Sequence, residues 1–515
     1  MPPSLQFLAN LIRNKVVWLF LSVLFLIVVV ATNVRAAGFL TSWFDESYMA
    51  DIAYNISQGN GFFVSVMHGL DTERFLYGPV FFLFQQPIIN LFGFGEFSAR
   101  LTGIIFGAST AILLAVLIYN QTKSAVIASL TLIVVIGDIS FNRSMISGRM
   151  DMLAVFFVVL SFVLVRRAMS SASWAAMLGL CAAAAFLTTP RSAFLLLGVP
   201  AMMSLISLRS FGRPDWVRRN VLAYGASGSV VLLLLGGWVL WTGGFSAYIE
   251  MNTGLSRYWG SRLYGFWYDN YITIAAFVAA IVYIKTVWRR ELAFGFLVSI
   301  LAYSLLVKGS PGAYAGLVMP FLYAFLALVL HAALPKMPIP IRGGAVAVVF
   351  LVVSLQSFVV LSKNANLYVN AECRDHGDFD RSVVAHLPSQ AVILSEFLYY
   401  FALRRGDELH FQVITRNDPN FLENVLQPPY ILIDSKRLIE RREVYADTAP
   451  VEEWVVNMIE AGVYQPLIAY TCPQRSLGWL GDRIARFTYA HQNRTYRDAV
   501  LYQRAADTSP RLAEE

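Results

Sequence analysis

Two adjacent carboxylates near the N-terminus are the first residues whose type and position suggest chemistry. Asp45 and Glu46 follow the first long apolar segment of the chain. A carboxylate in such a place can accept a proton from a hydroxyl group as that group attacks an electrophile. The pair would equally suit the first turn of a helix, where the helix dipole favours negative charge. Position alone leaves both interpretations open.

Cations recur in polar segments between later apolar runs. Taken singly, each would fit a side chain that reaches toward lipid headgroups. Ionisable groups at membrane depth are nevertheless costly and commonly functional. The topology predicted below collects them on the same side as the acidic pair, which favours a site where positive charge stabilises a developing anion. They are Arg143 and Arg149 with Asp151, Arg191 after Thr189-Pro190, Arg257 and Arg262 in an aromatic-rich segment, and Lys308 ahead of Tyr314.

The composition indicates that lipid surrounds most of the chain. Hydrophobic residues make up 57% of its 515 residues and charged residues 14%, against about 25% charged in soluble globular proteins. The net charge of +7 comes from short basic clusters between apolar runs, as expected of cytoplasmic loops. Nucleic-acid binding is therefore a poor interpretation.

The apolar runs predict an all-α polytopic membrane domain over residues 1–362. A spanning helix needs about 20 mostly apolar residues, and by that measure about eleven spans are expected. The first is too long, and lacks the clean cleavage site, for a signal peptide. The predicted spans are 16–34, 98–119, 125–141, 150–166, 174–188, 192–208, 221–242, 271–288, 292–307, 314–333 and 344–362.

The apolar stretch 76–93 is ambiguous because it contains Pro79, Gln85, Gln86 and Pro87. If it does not span and the N-terminus is cytoplasmic, every strong basic cluster falls on the cytoplasmic side. We therefore predict an amphipathic or half-inserted hairpin within a first outer loop at 33–97. The clusters concerned are Lys123, Arg166–Arg167, Arg209/Arg213/Arg218/Arg219, Lys285/Arg289/Arg290 and Lys336/Arg342.

After Lys363 the composition changes to short apolar runs of strand length alternating with helix-like segments. This alternation predicts a small α/β domain over residues 363–505, and the count of spans places it outside the cytoplasm. The expected strands lie at 391–395, 410–414, 430–433 and 467–470, with a helix at 451–461. Residues 506–515 are expected to be a disordered tail.

One carboxylate with several cations at an outer membrane surface suits sugar transfer from a lipid phosphate. The carboxylate accepts the acceptor's proton, and the cations stabilise the departing phosphate. Phosphate leaves readily as an anion, so the second, acidic carboxyl group of glycoside hydrolases is not required. Because nucleotide sugars are cytoplasmic and this site is not, we expect a polyprenyl-phosphate donor.

At these residues the chain resembles a family of integral-membrane glycosyltransferases of GT-C fold. The family includes protein O-mannosyltransferases, the lipid A aminoarabinose transferase and rhizobial galacturonosyl transferases. The resemblance covers about residues 16–335, and a C-terminal α/β domain is also typical of the family. Its features, in order, are Asp45-Glu46, the segment 77–81 leading into 91–93, residues 100–103, Arg149-Met150-Asp151, Thr189-Pro190-Arg191 and Lys308…Tyr314…Pro320.

The resemblance implies a role for each of these residues. Asp45 would be the general base, with Glu46 as a supporting acceptor or an acceptor-site ligand. Arg149, Arg191 and Lys308 would bind the lipid phosphate, to which Tyr314 would donate. Asp151 would orient an arginine or contact the sugar. The remaining substrate-binding candidates are Arg74, Tyr77, Arg143, Arg257 and Arg262.

The chain departs from the family at Gly78, where relatives often carry Lys or His before the proline. A phosphate or sugar contact is then either missing or supplied by Arg74 or Tyr77. A divalent metal held by Asp45, Glu46 and Asp51 is conceivable, but the cations suffice for the phosphate, so we expect no required metal. If the C-terminal region lies outside the cytoplasm, a Cys373–Cys472 disulfide is plausible.

The sequence therefore predicts an inverting glycosyltransferase acting on a lipid, glycan or protein acceptor at the extracytoplasmic face. A membrane transporter is one alternative, although transporters usually show internal repeats and a site near the bilayer midplane. A non-catalytic protein of envelope-polysaccharide assembly is another, and it would keep the fold without depending on the carboxylate.

Overall fold

The structure, a computed structural model, falls into two compact units. One comprises residues 1–35, 75–84 and 100–362, which we call the membrane unit, and the other comprises 36–74, 85–99 and 363–515. We call the second the outer unit, after the location that the sequence predicts for it. The residues that the structure describes are 14–38, 44–62, 78–246, 278, 280–307, 314–338, 344, 351, 354–362, 365, 368–369, 371–388, 391, 393–404, 411–413, 428–434, 450–471 and 498–505.

The described part of the membrane unit is helical. A π-helical turn, Val221–Ala226, joins two of its helices, and a 3-10 turn, Leu334–Lys336, ends the last one. The helices are α1 Lys15–Ala36, α3 Val80–Phe92 and α4 Glu96–Thr122 (both shared with the outer unit), α5 Ala125–Ile136, α6 Ile139–Ile146, α7 Asp151–Ala168, α8 Ala172–Thr188, α9 Ser192–Leu196, α10 Gly198–Arg209, α11 Trp216–Asn220, α12 Ser227–Trp241, α13 Ile284–Arg289, α14 Glu291–Leu306 and α15 Ala315–Ala333.

Within the described residues, five helical stretches are long and apolar enough to cross a membrane. The pair α5 and α6, bent by 61° at a short break, makes a sixth if it forms one span. The chain thus has membrane-spanning helices, as predicted, while the number of about eleven spans stays a prediction. The five are Lys15–Ala36, Glu96–Thr122, Ser192–Arg209, Trp216–Trp241 and Ala315–Lys336.

The ambiguous stretch 76–93 forms α3, a helix of 13 residues with Pro87 inside it. At about 1.5 Å per residue such a helix rises about 20 Å, which is short of the roughly 30 Å of hydrocarbon. Gln85 uses its amide to donate to the Ala99 carbonyl, at 3.0 Å. The length of α3 therefore agrees with a segment that does not span alone.

Small residues set the close packing of the membrane helices. A β-carbon on Gly198 of α10 would lie 2.2 Å from the Gly295 carbonyl oxygen of α14. Beside this contact, the Ser299 hydroxyl donates to the Leu195 carbonyl at 2.5 Å. Lipid-embedded helices depend on such close approach, because burial in lipid supplies no hydrophobic drive between them.

The outer unit contains a five-stranded mixed sheet in the order β2-β1-β3-β5-β4. β1 pairs in parallel with both β2 and β3, while β5 is antiparallel to β3 and β4. The four predicted strand segments overlap β1 to β4, and β5 was not predicted. The elements are α2 Phe44–Ser57, α16 Ala371–Arg374, α17 Gly377–His386, β1 Ile393–Ser395, a 3-10 turn Phe397–Tyr399, α18 Tyr400–Arg404, β2 Phe411–Val413, β3 Tyr430–Asp434, α19 Pro450–Glu460, β4 Tyr464–Thr471 and β5 Asp498–Arg504.

The core of the sheet lies between its strands and α19. Strand β3 is buried along its whole length, as a continuous apolar run in the middle of a sheet should be. α19 brings Val455 and Val456 against Leu394, Ile431 and Ile433. The core thus fixes β1 and β3 as neighbours, and β1 leads directly into the segment that contacts α2.

Candidate functional site

In the membrane unit, three of the predicted phosphate-binding residues each stand just before a helix. Arg149 is two residues ahead of α7, Arg191 directly precedes α9, and Tyr314 directly precedes α15. The N-terminal ends of the long helices α7 and α15 carry partial positive charge from their unpaired N–H groups. Residues collected at such ends are well placed to meet an anion.

The structure brings these three residues together. The Arg149 guanidinium carbon lies 4.6 Å from the centre of the Tyr314 ring, and that of Arg191 lies 3.9 Å from the same centre. Both distances are within the range of cation–π attraction. Arg149 and Tyr314 are buried, with 2% and 3% of their surface exposed. Two cations thus share one buried ring.

Asp151 balances one of the two charges. Its carboxylate lies 3.0 Å from the Arg149 Nε atom, and both side chains are almost fully buried. Asp151 opens α7, where the dipole favours its negative charge. The contact is the one that a role in orienting an arginine would need, and that role of Asp151 stays a prediction. Arg191 brings a second guanidinium group to the ring beside this pair.

Glycines allow the elements that carry the cluster to approach closely. A β-carbon on Gly316, in the first turn of α15, would lie 2.2 Å from the Ser144 hydroxyl of α6. One on Gly103 of α4 would lie 2.9 Å from the Ser147 carbonyl, just before Arg149. The positions of Tyr314 and Arg149 therefore depend on packing that only glycine permits.

The last turn of α8, which leads to Arg191, is packed in the same way. A β-carbon on Gly78 would lie 2.0 Å from the carbonyl oxygen of Leu187. Backbone atoms of Leu187 thus occupy the space that a side chain at position 78 would need. On either side of Arg191, the hydroxyls of Thr189 and Ser192 are buried without a hydrogen-bond partner in the part of the chain that the structure describes.

Arg143, predicted to contact substrate, lies on α6 and is half-buried. Five other predicted substrate or phosphate residues lie outside the described residues, as does Cys472 of the predicted disulfide. Their roles stay predictions. The five are Arg74, Tyr77, Arg257, Arg262 and Lys308.

The acidic pair lies in the outer unit, in the first turn of α2. Asp45 is partly exposed, whereas Glu46 is buried with 3% of its surface exposed. Burial, and then the carboxylates of Asp51 and Asp45, raise the pKa of Tyr48 well above its usual range. The pair therefore lies at the start of a helix, which was one of the two interpretations of the sequence. Asp45 is exposed enough for the solvent access that a general base needs.

Sequence reasoning missed the residues that hold α2. Asp51 is fully buried, and its carboxylate accepts a 2.8 Å hydrogen bond from the Tyr400 hydroxyl. The Arg404 Nε atom lies 3.6 Å from the same oxygen. Asp51, considered above as a metal ligand, is therefore engaged with the C-terminal part of the chain. Asp51 and Tyr400 are 349 positions apart in the chain, so no local sequence pattern indicates this contact.

A family model described as dolichyl-phosphate-mannose-protein mannosyltransferase matches residues 77–241. No curated protein matches the chain in sequence. The matched segment contains Arg143, Arg149, Asp151 and Arg191.

Solved structures of membrane glycosyltransferases share the fold over most of the chain. ArnT from Cupriavidus metallidurans, bound to undecaprenyl phosphate, matches with a TM-score of 0.56 at 12% identity, covering 95% of this chain and 99% of that one. The Archaeoglobus fulgidus oligosaccharyltransferase, in complex with Zn and sulfate, matches at 0.52 and 12%, covering 87% and 72%. An archaeal oligosaccharyltransferase AglB from Archaeoglobus fulgidus, in complex with an inhibitory peptide and a dolichol-phosphate, matches at 0.51 and 12%, covering 88% and 74%. The resemblance to glycosyltransferases of GT-C fold is confirmed at the level of the fold.

Proposed function

We propose that the chain is an inverting glycosyltransferase that moves a sugar from a polyprenyl phosphate to an acceptor on the extracytoplasmic face. The observation that carries the proposal is the pair of cations on the Tyr314 ring, formed by Arg149 and Arg191. Two guanidinium groups that meet at one buried ring, at the starts of two long helices, suit a phosphate. The acceptor would be a lipid, a glycan or a protein.

Two further observations support a lipid-linked donor. The cluster belongs to a unit built from membrane-spanning helices, in which an apolar polyprenyl tail would be soluble. ArnT, which has the same fold, is bound to undecaprenyl phosphate in its structure, and AglB is in complex with a dolichol-phosphate. We therefore propose the same chemical class of ligand here.

In the proposed reaction, a hydroxyl oxygen of the acceptor attacks the anomeric carbon of the donor. The bond from that carbon to the phosphate oxygen breaks, with inversion, and Asp45 accepts the hydroxyl proton. The polyprenyl phosphate leaves as an anion that Arg149 and Arg191 stabilise. Glu46 supports the acceptor, and Lys308, Arg74, Tyr77, Arg143, Arg257 and Arg262 complete the proposed substrate contacts.

Because arginines provide the positive charge, the proposed reaction requires no divalent metal. Sugar transfer by isolated membranes should then survive treatment with a chelator. A loss of transfer that added Mg²⁺ or Mn²⁺ restores would show that a metal takes part.

Binding of undecaprenyl phosphate tests the cluster without knowledge of the sugar. Arg191→Ala should weaken binding by about 10- to 100-fold, the effect of losing about 1.5–3 kcal/mol from a hydrogen bond to a charged group. Native mass spectrometry of the purified protein would measure it. Arg167→Ala is the matched control, since this arginine lies 4.9 Å from the centre of the Trp174 ring but outside the cluster. Equal affinity of the Arg191 variant and the parent would refute the phosphate site.

Sugar transfer tests the base. Asp45→Asn should lower transfer by about 10²- to 10⁴-fold, the usual contribution of general base catalysis. The readout is mass spectrometry of envelope glycans and glycolipids from a deletion strain that carries the variant at the parental protein level. Asp378→Asn, an exposed carboxylate paired with Arg381, is the control. Parental transfer by the Asp45 variant would show that Asp45 is not the base.

A further inference from the structure

We propose that Tyr400 and Arg404 are positioning residues, which hold the helix that carries Asp45 against the C-terminal sheet of the outer unit. The inference rests on the proposed function, because it assigns the residues a role in placing the base. They lie on α18, and the helix they contact is α2.

The contact consists of several bonds to one stretch of α2. The Tyr400 hydroxyl donates to Asp51 at 2.8 Å, and the Arg404 Nε lies 3.6 Å from the same carboxylate oxygen. Arg404 also donates from Nη2 to the Asn55 side-chain oxygen, at 3.4 Å. Its guanidinium carbon lies 4.8 Å from the centre of the Tyr54 ring. Three residues of α2 thus contact the five-residue helix α18.

These residues form one side of α2, and Asp45 lies on another. Asp51, Tyr54 and Asn55 are spaced by three and four positions, which places them on one face. Asp45 precedes Asp51 by six positions, and at 3.6 residues per turn it points about 120° away. Contacts on the first face can therefore fix the rotation and height of α2 while the Asp45 side chain stays partly exposed.

Burial makes the hydrogen bonds selective for one placement of the helix. Asp51 and Tyr400 are both fully buried. A buried carboxylate that lost its donors would be strongly unfavourable, so sliding or turning α2 is costly. A purely apolar contact would tolerate such movement more easily.

Aromatic rings extend the contact to the segment before α4. The Phe94 ring centre lies 4.6 Å from that of Tyr54, 5.9 Å from that of Tyr400 and 5.4 Å from that of Phe401. Such tilted and edge-on pairs are favourable. Phe94 therefore joins the two helices on a second side of the polar contact.

The topology of the sheet explains why the contact forms here. β1 and β3 are parallel neighbours in the sheet. From β1 the chain continues to β2 on one side of this pair, and from β3 it continues to β4 and β5 on the other side. Open α/β sheets hold ligands beyond the carboxyl ends of strands at such a point. In this chain the turn Phe397–Tyr399, which follows the carboxyl end of β1, contacts α2.

Tyr400→Phe tests the inference with the smallest change, the loss of one hydroxyl group. Hydrogen exchange followed by mass spectrometry should show amides of α2 exchanging about tenfold faster or more. Sugar transfer, measured as for Asp45, should fall by a similar factor. Undecaprenyl phosphate should bind as tightly as to the parent, because the phosphate cluster is unchanged. General destabilisation would not produce this combination.

Tyr464→Phe is the matched control. Its hydroxyl is also buried and donates at 2.7 Å, but to the Pro428 carbonyl within the sheet domain. This variant should leave exchange of α2 and sugar transfer unchanged. Arg404→Lys keeps the charge and should retain more transfer than Arg404→Met. If Tyr400→Phe does not fold, Asn55→Ala, which removes one acceptor on α2, should give the same pattern more weakly.

The possible results separate this inference from the proposed function. If the α2 amides of the Tyr400→Phe protein exchange at the parental rate, the contact with α18 does not support α2. Faster exchange with parental transfer would refute its role in positioning the base. If Asp45→Asn transfers sugar like the parent, the proposed base is wrong, and the exchange data still decide whether α18 holds α2.

Discussion

Substituting alanine for Gly78 tests how tightly the chain ahead of α3 packs against the last turn of α8, which leads to Arg191. The added β-carbon would lie 2.0 Å from the Leu187 carbonyl oxygen, 2.5 Å from its carbonyl carbon and 2.6 Å from its Cα. Real β-carbons essentially never come within 3.0 Å of a heavy atom outside their own and the adjacent residues. All three neighbours are backbone atoms, so no side-chain rotation can relieve the overlap.

The expected cost follows from this geometry. The backbone at Leu187 or Gly78 must move by about 1 Å, and insertion into well-packed sites typically costs about 1–3 kcal/mol. Because only backbone can move, we expect the upper part of that range. The shift would also displace the turn that ends at Arg191, so undecaprenyl phosphate should bind about tenfold more weakly, equivalent to about 1.4 kcal/mol.

Two measurements on the purified protein check this prediction. Thermal unfolding should show a midpoint lower by about 5 °C, given roughly 2–4 °C per kcal/mol in chains of moderate size. Native mass spectrometry should show the weaker lipid binding. Gly236→Ala is the control, because a β-carbon at that position of α12 meets no atom of the described residues within 4 Å. It should leave stability unchanged or raise it by up to about 1 kcal/mol.

A Gly78→Ala protein with the thermal midpoint and lipid affinity of the parent would refute the tight packing of Gly78 against Leu187. Lysine at the same position is expected to behave worse than alanine. A lysine there could not add a phosphate contact in this chain, since the obstacle is the β-carbon itself.

Further predictions concern the packing and titration of other sites. Gly295→Ala should destabilise the membrane unit by about 1–3 kcal/mol, seen as a lower thermal midpoint, because its β-carbon would lie 2.8 Å from the Phe162 ring. Asp138→Ala should cost about 1–3 kcal/mol in the same assay, since Asp138 caps α6 and accepts a 2.8 Å hydrogen bond from Tyr323; Asp138→Asn should cost less. Burial, followed by the Asp51 carboxylate, raises the pKa of Tyr400 well above 10, so its contribution to stability is full below about pH 10 and is lost as pH rises further. Tyr400→Phe should reduce the loss of stability measured between pH 10 and 11, and an unchanged pH dependence would contradict this.

The membrane helices could be predicted because lipid imposes a length and an apolar composition that are local properties of sequence. α1 and α15 illustrate this, since each matches its predicted span closely. Strand β5 could not be found in the same way. Its fully buried part is only Ala499, Val500 and Leu501, and its pairing with β3 and β4 depends on segments far away in the chain.

The candidate site was predictable by residue type but not by geometry. Arg149, Arg191 and Tyr314 stood out as polar residues beside apolar runs, yet nothing in their spacing indicated that both cations meet one ring. That arrangement depends on glycine contacts such as Gly316 against Ser144. Such contacts are decided by shape between distant segments, and hydropathy carries no information about them.

The proposed phosphate site and the proposed base are held by different kinds of contact. Close helix packing around glycines places Arg149 and Arg191, whereas hydrogen bonds from α18 and the Phe94 ring hold the helix that carries Asp45. Disrupting the contacts around one of the two sites should therefore leave the measurement made on the other site unchanged. Gly78→Ala should weaken lipid binding without faster exchange of α2, and Tyr400→Phe should do the reverse. If each variant changed lipid binding and hydrogen exchange of α2 alike, the phosphate site and the helix that carries Asp45 would not be supported separately.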